Sequence, residues 1–197
     1  MKTAKPINTR NLVMLGLLTA IVVVLQVLAI WTRPLFPTFS ISLVLMPIVI
    51  GAATIGTYAD GWLGLAFGFA VLISGDAFDF MVVNPAATIV IVLLKGLLAG
   101  LAAGASYNSF AAKSKTLAAI ASAVVCPVVN TGVFIIGSYM FFLPTLARWG
   151  TAAGVANATA FIFLTVVGLN FLVELGINLV LCPTIIRLIH HGQSKRD

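Results

Sequence analysis

The chain has 197 residues, 61% of them hydrophobic and 8% charged, with eleven Lys and Arg against five Asp and Glu; its mean hydropathy is +1.15. A soluble domain carries about 25% charged residues, and disordered or collagen-like chains need few apolar residues or a strict glycine period, so all three classes are excluded. The apolar fraction amounts to roughly six spans of about 20 residues. The expected fold class is therefore all-α: an integral membrane bundle of six transmembrane helices, a single domain over 1–197 with almost no extramembrane mass.

Residues 1–10 are polar and basic, and the first span is expected over 11–31. That run is too long for a signal peptide and lacks a small-residue cleavage site. Within it, Gly16 and Ala20 form a small-xxx-small pair, suited either to packing inside the chain or to docking on another protein. Trp31 suits a membrane interface, and Arg33-Pro34 through Pro37 reads as an ordered outer loop, since two prolines forbid helix continuation. The second run, 41–55, is short and contains Pro47, which predicts a kinked or tilted helix. Thr57, Tyr58 and Asp60 read as a tight inner turn before the third span, 60–74, whose Gly61, Gly64 and Gly68 favour close helix contact. Residues 75–85 form a second outer loop with Asp76, Asp79 and Asn84-Pro85. Two carboxylates alone make a thin shell for a cation, so both aspartates are expected to be solvated. The fourth span covers 86–108, and the fifth covers 116–142 with Pro127 near its middle. A third outer loop, about 143–157, holds Arg148 and Trp149, and the sixth run covers 159–189. At about 1.5 Å per residue that last run exceeds the bilayer, so it must tilt, bend or protrude.

Eight of the basic residues (Lys2, Lys5, Arg10, Lys113, Lys115, Arg187, Lys195 and Arg196) fall on one side of an even-numbered bundle. The positive-inside rule makes that side, with both termini, the cytoplasm of a plasma membrane. The charge is explained by topology and not by nucleic acid. Arg33 and Arg148 are left outside, and Lys95 is left inside a span. Cys126 and Cys182 show no metal-ligand spacing, His190 and His191 lie in the basic tail, and no metal is expected. The chain has no HExxH, no nucleophile elbow and no Walker loop, so no catalytic residue and no cofactor of its own is expected.

Polar groups inside spans are costly and need a partner or a task. Asn84, Thr88, Ile91 and Lys95 fall on one helical stripe, with Gly96, Gly100 and Gly104 on roughly the opposite face. Lys95 lies ~15 Å along the helix. It has two readings: an internal ion pair with Glu174, which has Asn170 and Asn178 a turn to either side, or contact with a polar or anionic ligand. Asn130, next to Thr131, either satisfies the carbonyl freed by Pro127 or contacts a ligand. The outer loops mix aromatics with polar groups, including Phe36, Phe39, Phe78 and Phe80, for most of which an interfacial belt suffices.

Three strings carry a family resemblance: Phe39-Ser40-Ile41-Ser42-Leu43-Val44-Leu45-Met46-Pro47, the Asn84-Pro85 start leading to Lys95-Gly96-Leu97-Leu98-Ala99-Gly100, and Pro127-Val128-Val129-Asn130-Thr131-Gly132. With six short spans in under 200 residues, the chain resembles a substrate-binding S component of the energy-coupling factor (ECF) vitamin transporters of bacteria. That resemblance implies a subunit that binds a water-soluble vitamin and docks on a transmembrane coupling subunit working with two cytoplasmic ATPases. ATP and magnesium would be used by those partners. The family docks through an Ala-xxx-Ala pattern on the first helix, and the matching positions here read Gly16 and Ala20. The expected substrate is pantothenate, whose carboxylate suits Lys95 or Arg33 and whose amide and hydroxyls suit Asn84 and Asn130, with Thr88, Thr131 and Phe39 beside them. Folate and cobalamin are competitors, and thiamine fits less well because no aromatic–acidic cage is expected. Two other classes stay open: a stand-alone secondary transporter or channel using Lys95 and Glu174, weighed against by the lack of inverted repeats, and a structural membrane subunit with no ligand.

Overall fold

In a bilayer, backbone N–H and C=O groups have no water to bond, so apolar runs satisfy them internally as helices. The computed structural model describes residues 9–31, 44–168 and 171–182, and every regular element among them is helical. The elements are α1 (Thr9–Trp31), α2 (Leu45–Thr54), α3 (Thr57–Ser74), α4 (Phe78–Val83), α5 (Pro85–Ala111), α6 (Lys115–Phe141), α7 (Leu143–Ala152) and α8 (Ala158–Phe161). A π-helical segment, Ile162–Val167, follows α8, and α9 covers residues 171–182. Five stretches are long and apolar enough to cross a membrane: α1, α3, α5, α6 and Ala158–Cys182.

The second expected span differs from its expectation. α2 has 10 residues, ~15 Å of rise, which is about half the hydrocarbon thickness. Pro47 does not kink a long helix. It sits in the first turn of a short one, where its missing N–H has no intrahelical partner to lose. Thr57, Tyr58 and Asp60 are likewise not a turn but the opening of α3; the chain reverses at Gly56, whose φ of 128° suits glycine. The expected outer loops contain α4 and α7. The long last run contains the π segment, and its residues 169, 170 and 183–189 lie outside those described.

α5 is the central helix. It packs most extensively against α3 and α6 and also meets α2 and α4. Its start is specified locally: Asn84 Oδ1 accepts the Ala87 N–H at 3.1 Å, and Pro85 takes the first helical position. The α3–α5 contact is backbone against backbone. A methyl group on Gly64 would run into the Gly96 carbonyl, one on Gly96 into the Gly64 carbonyl, and one on Gly100 into the Asp60 carbonyl. The glycine spacing seen in both runs is therefore one seam seen from its two sides.

Buried apolar side chains form two clusters. One joins α1, α2, α3, α5 and α6 around Val22, Ile48, Leu63 and Ala99. The other joins the start of α5 to the α7–α8 region around Ile91, Phe142, Leu146 and Ile162.

The seam gives a prediction of sign. Gly64→Ala or Gly100→Ala meets main chain that has no rotamer to change, so each should destabilise by about 1–3 kcal/mol or more. Gly132, in the interior of α6, has nothing within 4 Å of an added Cβ. Gly132→Ala should therefore stabilise by about 1 kcal/mol through helix propensity. Unfolding in detergent micelles measures both.

Candidate functional site

A cavity of about 180 Å³ lies where the two apolar clusters meet. It occupies the end of the bundle that carries α4 and α7. Its lining comes from the C-terminal half of α3, the N-terminal half of α5, the C-terminal half of α6, and the π segment with α9. One side chain of α1, Gln26, also reaches it.

The charged lining is Lys95, Asp76 and Glu174. Lys95 Nζ sits between two aromatic faces, 5.6 Å from the Phe67 centroid and 5.4 Å from that of Phe134. Rings at this range attract a cation through their quadrupoles. Asp76 and Glu174 line the same cavity as this amine. Asp76 is also bound: Gln26 Nε2 donates to its Oδ2 at 3.2 Å and leans towards Ser74 Oγ at 3.5 Å. Gln26 is 2% exposed, which leaves its amide committed to the protein interior.

The uncharged polar lining is less satisfied. Asn130 Oδ1 and Ser138 Oγ are buried with no hydrogen-bond partner among the described residues. Such groups normally find partners, and each one left over calls for an explanation. Both face the cavity, on one stripe of α6 with Phe134 between them. Thr88 Oγ1 donates to the Asn84 carbonyl at 2.8 Å, which leaves its lone pairs towards the cavity. Thr131 completes the polar set.

The aromatic wall centres on Phe80 of α4. It meets Phe134, Phe142 and Trp149 edge-to-face, with centroids 5.6, 5.1 and 5.5 Å away. Each such contact contributes beyond area burial. Together they tie α4 to α6 and α7 over the cavity. Among the described residues no cluster of His, Cys, Asp and Glu is able to hold a metal ion.

Of the residues expected from sequence, Thr88, Lys95, Asn130 and Thr131 come together here, and Glu174 joins them. Asn84 does not line the cavity, because its side-chain oxygen is used as the cap of α5. Arg33, Phe39 and Asn170 lie outside the described residues. Gly16 and Ala20 are exposed on α1 and do not line the cavity. Asp79 is exposed as expected, whereas Asp76 is turned into the cavity. The expectation of no aromatic–acidic lining also fails, since two carboxylates share the cavity with Phe67, Phe80, Phe134 and Phe171. The residues missed were Gln26, Asp76 and Ser138. Gln26 was detectable as an amide in an otherwise apolar run, and Ser138 as a second polar residue two turns from Asn130.

A profile of the family described as ECF transporter, substrate-specific component, matches residues 10–186. The chain belongs to this family. It is thereby a multi-pass membrane protein and a substrate-binding subunit of an ECF transporter, a family whose members work with ECF membrane and ATPase components. No curated protein and no solved structure matches it. For this ECF substrate-specific component, a concave cavity with unpartnered polar atoms inside the bundle is the expected type of site.

Asn84→Ala separates capping from binding. Loss of the N-cap should lower stability by about 1 kcal/mol, while substrate affinity stays within about two-fold, below half a kcal/mol. Thermal unfolding and calorimetric titration of the same sample measure the two effects.

Proposed function

We propose that the chain binds a small water-soluble vitamin, with pantothenate as the substrate, and hands it to a transmembrane coupling subunit driven by two ATPase subunits. The chain itself is not an enzyme. ATP and magnesium act in the partners, and the site needs no cofactor. The membrane is a bacterial plasma membrane, with both termini of the bundle on its cytoplasmic side.

The observation that carries the reading is the Lys95 ammonium inside the cavity, beside the unpartnered Asn130 Oδ1 and Ser138 Oγ. Pantothenate has a carboxylate, an amide and two hydroxyls. Its carboxylate pairs with Lys95 between Phe67 and Phe134. Its N–H and O–H groups donate to Asn130, Asp76 and Glu174, and its apolar carbons meet the phenylalanine wall. A cavity of about 180 Å³ favours a small ligand over a large one. Cobalamin is far larger than this, and folate is roughly twice the size of pantothenate. Arg33 and Phe39 remain proposed contacts from the resemblance alone.

A second reading has a specific observation behind it. Two carboxylates and several phenylalanines around one lysine also suit a cationic aromatic vitamin such as thiamine. Calorimetry of the purified protein against pantothenate, thiamine, folate and cobalamin decides between them. On the pantothenate reading, Lys95→Ala weakens binding by about 10- to 100-fold, the range of a charge-assisted hydrogen bond. Unchanged pantothenate affinity removes Lys95 from the role.

Docking is assigned to α1. Gly16 and Ala20 are exposed, and nothing lies within 4 Å of a Cβ added at Gly16. Large side chains there have space in the isolated chain but block close approach of another helix. Gly16→Leu with Ala20→Leu should abolish vitamin uptake in vesicles containing the full transporter and leave vitamin affinity unchanged. Retained uptake would place the docking face elsewhere.

A further inference from the structure

α1 holds the rest of the protein along one narrow stripe. Its buried residues are Leu18, Val22, Gln26 and Ala29, which share a helical face. Gly16 and Ala20 lie about 145° around the same helix, on the outward side. Leu18 and Val22 contribute apolar contact, which is non-directional and fixes neither rotation nor sliding of a helix closely. Hydrogen bonds do fix them. One is Trp62 Nε1 to Thr19 Oγ1 at 3.2 Å, outside the cavity. Another is Gln26 Nε2 to Asp76 Oδ2 at 3.2 Å, and both of its partners line the cavity. Gln26 therefore belongs at once to the helix that carries the exposed small-residue pair and to the wall of the substrate cavity.

We propose that the Gln26–Asp76 bond couples occupancy of the cavity to the docking face of α1. The inference rests on the reading that this cavity holds the vitamin and that Gly16 and Ala20 meet the coupling subunit. A ligand donor that reaches Asp76 competes with the Gln26 amide; a ligand acceptor that reaches the amide holds it. Either event changes how firmly this point of α1 is tied to the α3–α4 turn. Gly16 lies ~15 Å along the same rigid helix, so a shift at Gln26 is carried to the outward face. Gln26 acts here as a positioning residue. The effect is reciprocal: whatever substrate does to docking, docking does to substrate affinity by the same factor.

The test uses the full chain in nanodiscs with its coupling subunit and ATPases. The dissociation constant for docking is measured without ligand and with saturating pantothenate, and the ratio of the two is the readout. The wild-type ratio is expected to differ from one by about five-fold or more. Gln26→Leu should bring it close to one, and Asp76→Asn, which keeps the shape but weakens the bond, should give an intermediate value. Thr19→Val loosens α1 outside the cavity and should keep the wild-type ratio. A wild-type ratio of one, a Gln26→Leu ratio equal to wild type, or a Thr19→Val ratio as low as that of Gln26→Leu each overturns the proposal. If thiamine binds and pantothenate does not, the substrate reading falls and the same ratio is measured with thiamine as the probe. If neither binds, both readings fall.

Discussion

The close approach of α3 and α5 sets the geometry on which the cavity depends. Lipid tails are as apolar as leucine, so helices in a bilayer gain little from hiding apolar surface from one another and associate by packing and polar contact. Gly64 against Gly96, and Gly100 against Asp60, bring the two main chains together with no side chain between them. Phe67 follows Gly64 by three residues, and Lys95 directly precedes Gly96. Once the seam fixes the register of the two helices, the ring and the ammonium meet at 5.6 Å. A larger residue in the seam would separate the helices and displace both walls of the cavity.

The same constraint accounts for the placing of the polar groups. A lysine within a span is expensive unless its charge is met by other groups. Here two rings flank it and two carboxylates share its cavity, one of them held by Gln26. The charged members thus support one another, while Asn130 Oδ1 and Ser138 Oγ have no partner among the described residues. A cavity of this kind holds its charges in position before a ligand arrives and keeps neutral hydrogen-bonding capacity in reserve.

Much of this was legible in the sequence wherever one physical rule dominated. Long apolar runs became α1, α3, α5 and α6, because a span leaves the backbone no alternative to helix. The period of Thr88, Ile91 and Lys95 placed them on one face, and the glycines on the other. Legibility failed where two rules competed for one residue. Asn84 before Pro85 fits both an N-cap and a ligand contact, and capping an otherwise open helix end prevailed. Asp76 follows Gly75, whose φ of 82° ends α3 in a left-handed turn. After that turn the carboxylate lines the cavity and meets Gln26 of α1, a placement that composition cannot reveal. α4 and α7 were hidden because helices of 6 and 10 residues are too short for periodicity to mark. Phe80 consequently looked like part of an interfacial belt, although it is the centre of three ring contacts.

The distribution of burial separates a packed centre from a less covered periphery. Among the described residues, α3 and α5 are the more buried spans, and α1 and the stretch Ala158–Cys182 the less buried. Backbone contact through glycine leaves α3 and α5 little range of motion, since packed interiors switch between arrangements and do not deform continuously. The two less buried stretches also reach the cavity, α1 through Gln26 and the other through Val166, Val167, Phe171 and Glu174. The second of these contains the π segment, an irregularity often found at functional sites. These two stretches lie at the periphery of the bundle, with their outward faces left for lipid or another subunit. The buried seam of α3 and α5 thus carries Lys95, while the two less buried stretches complete the same cavity from its periphery.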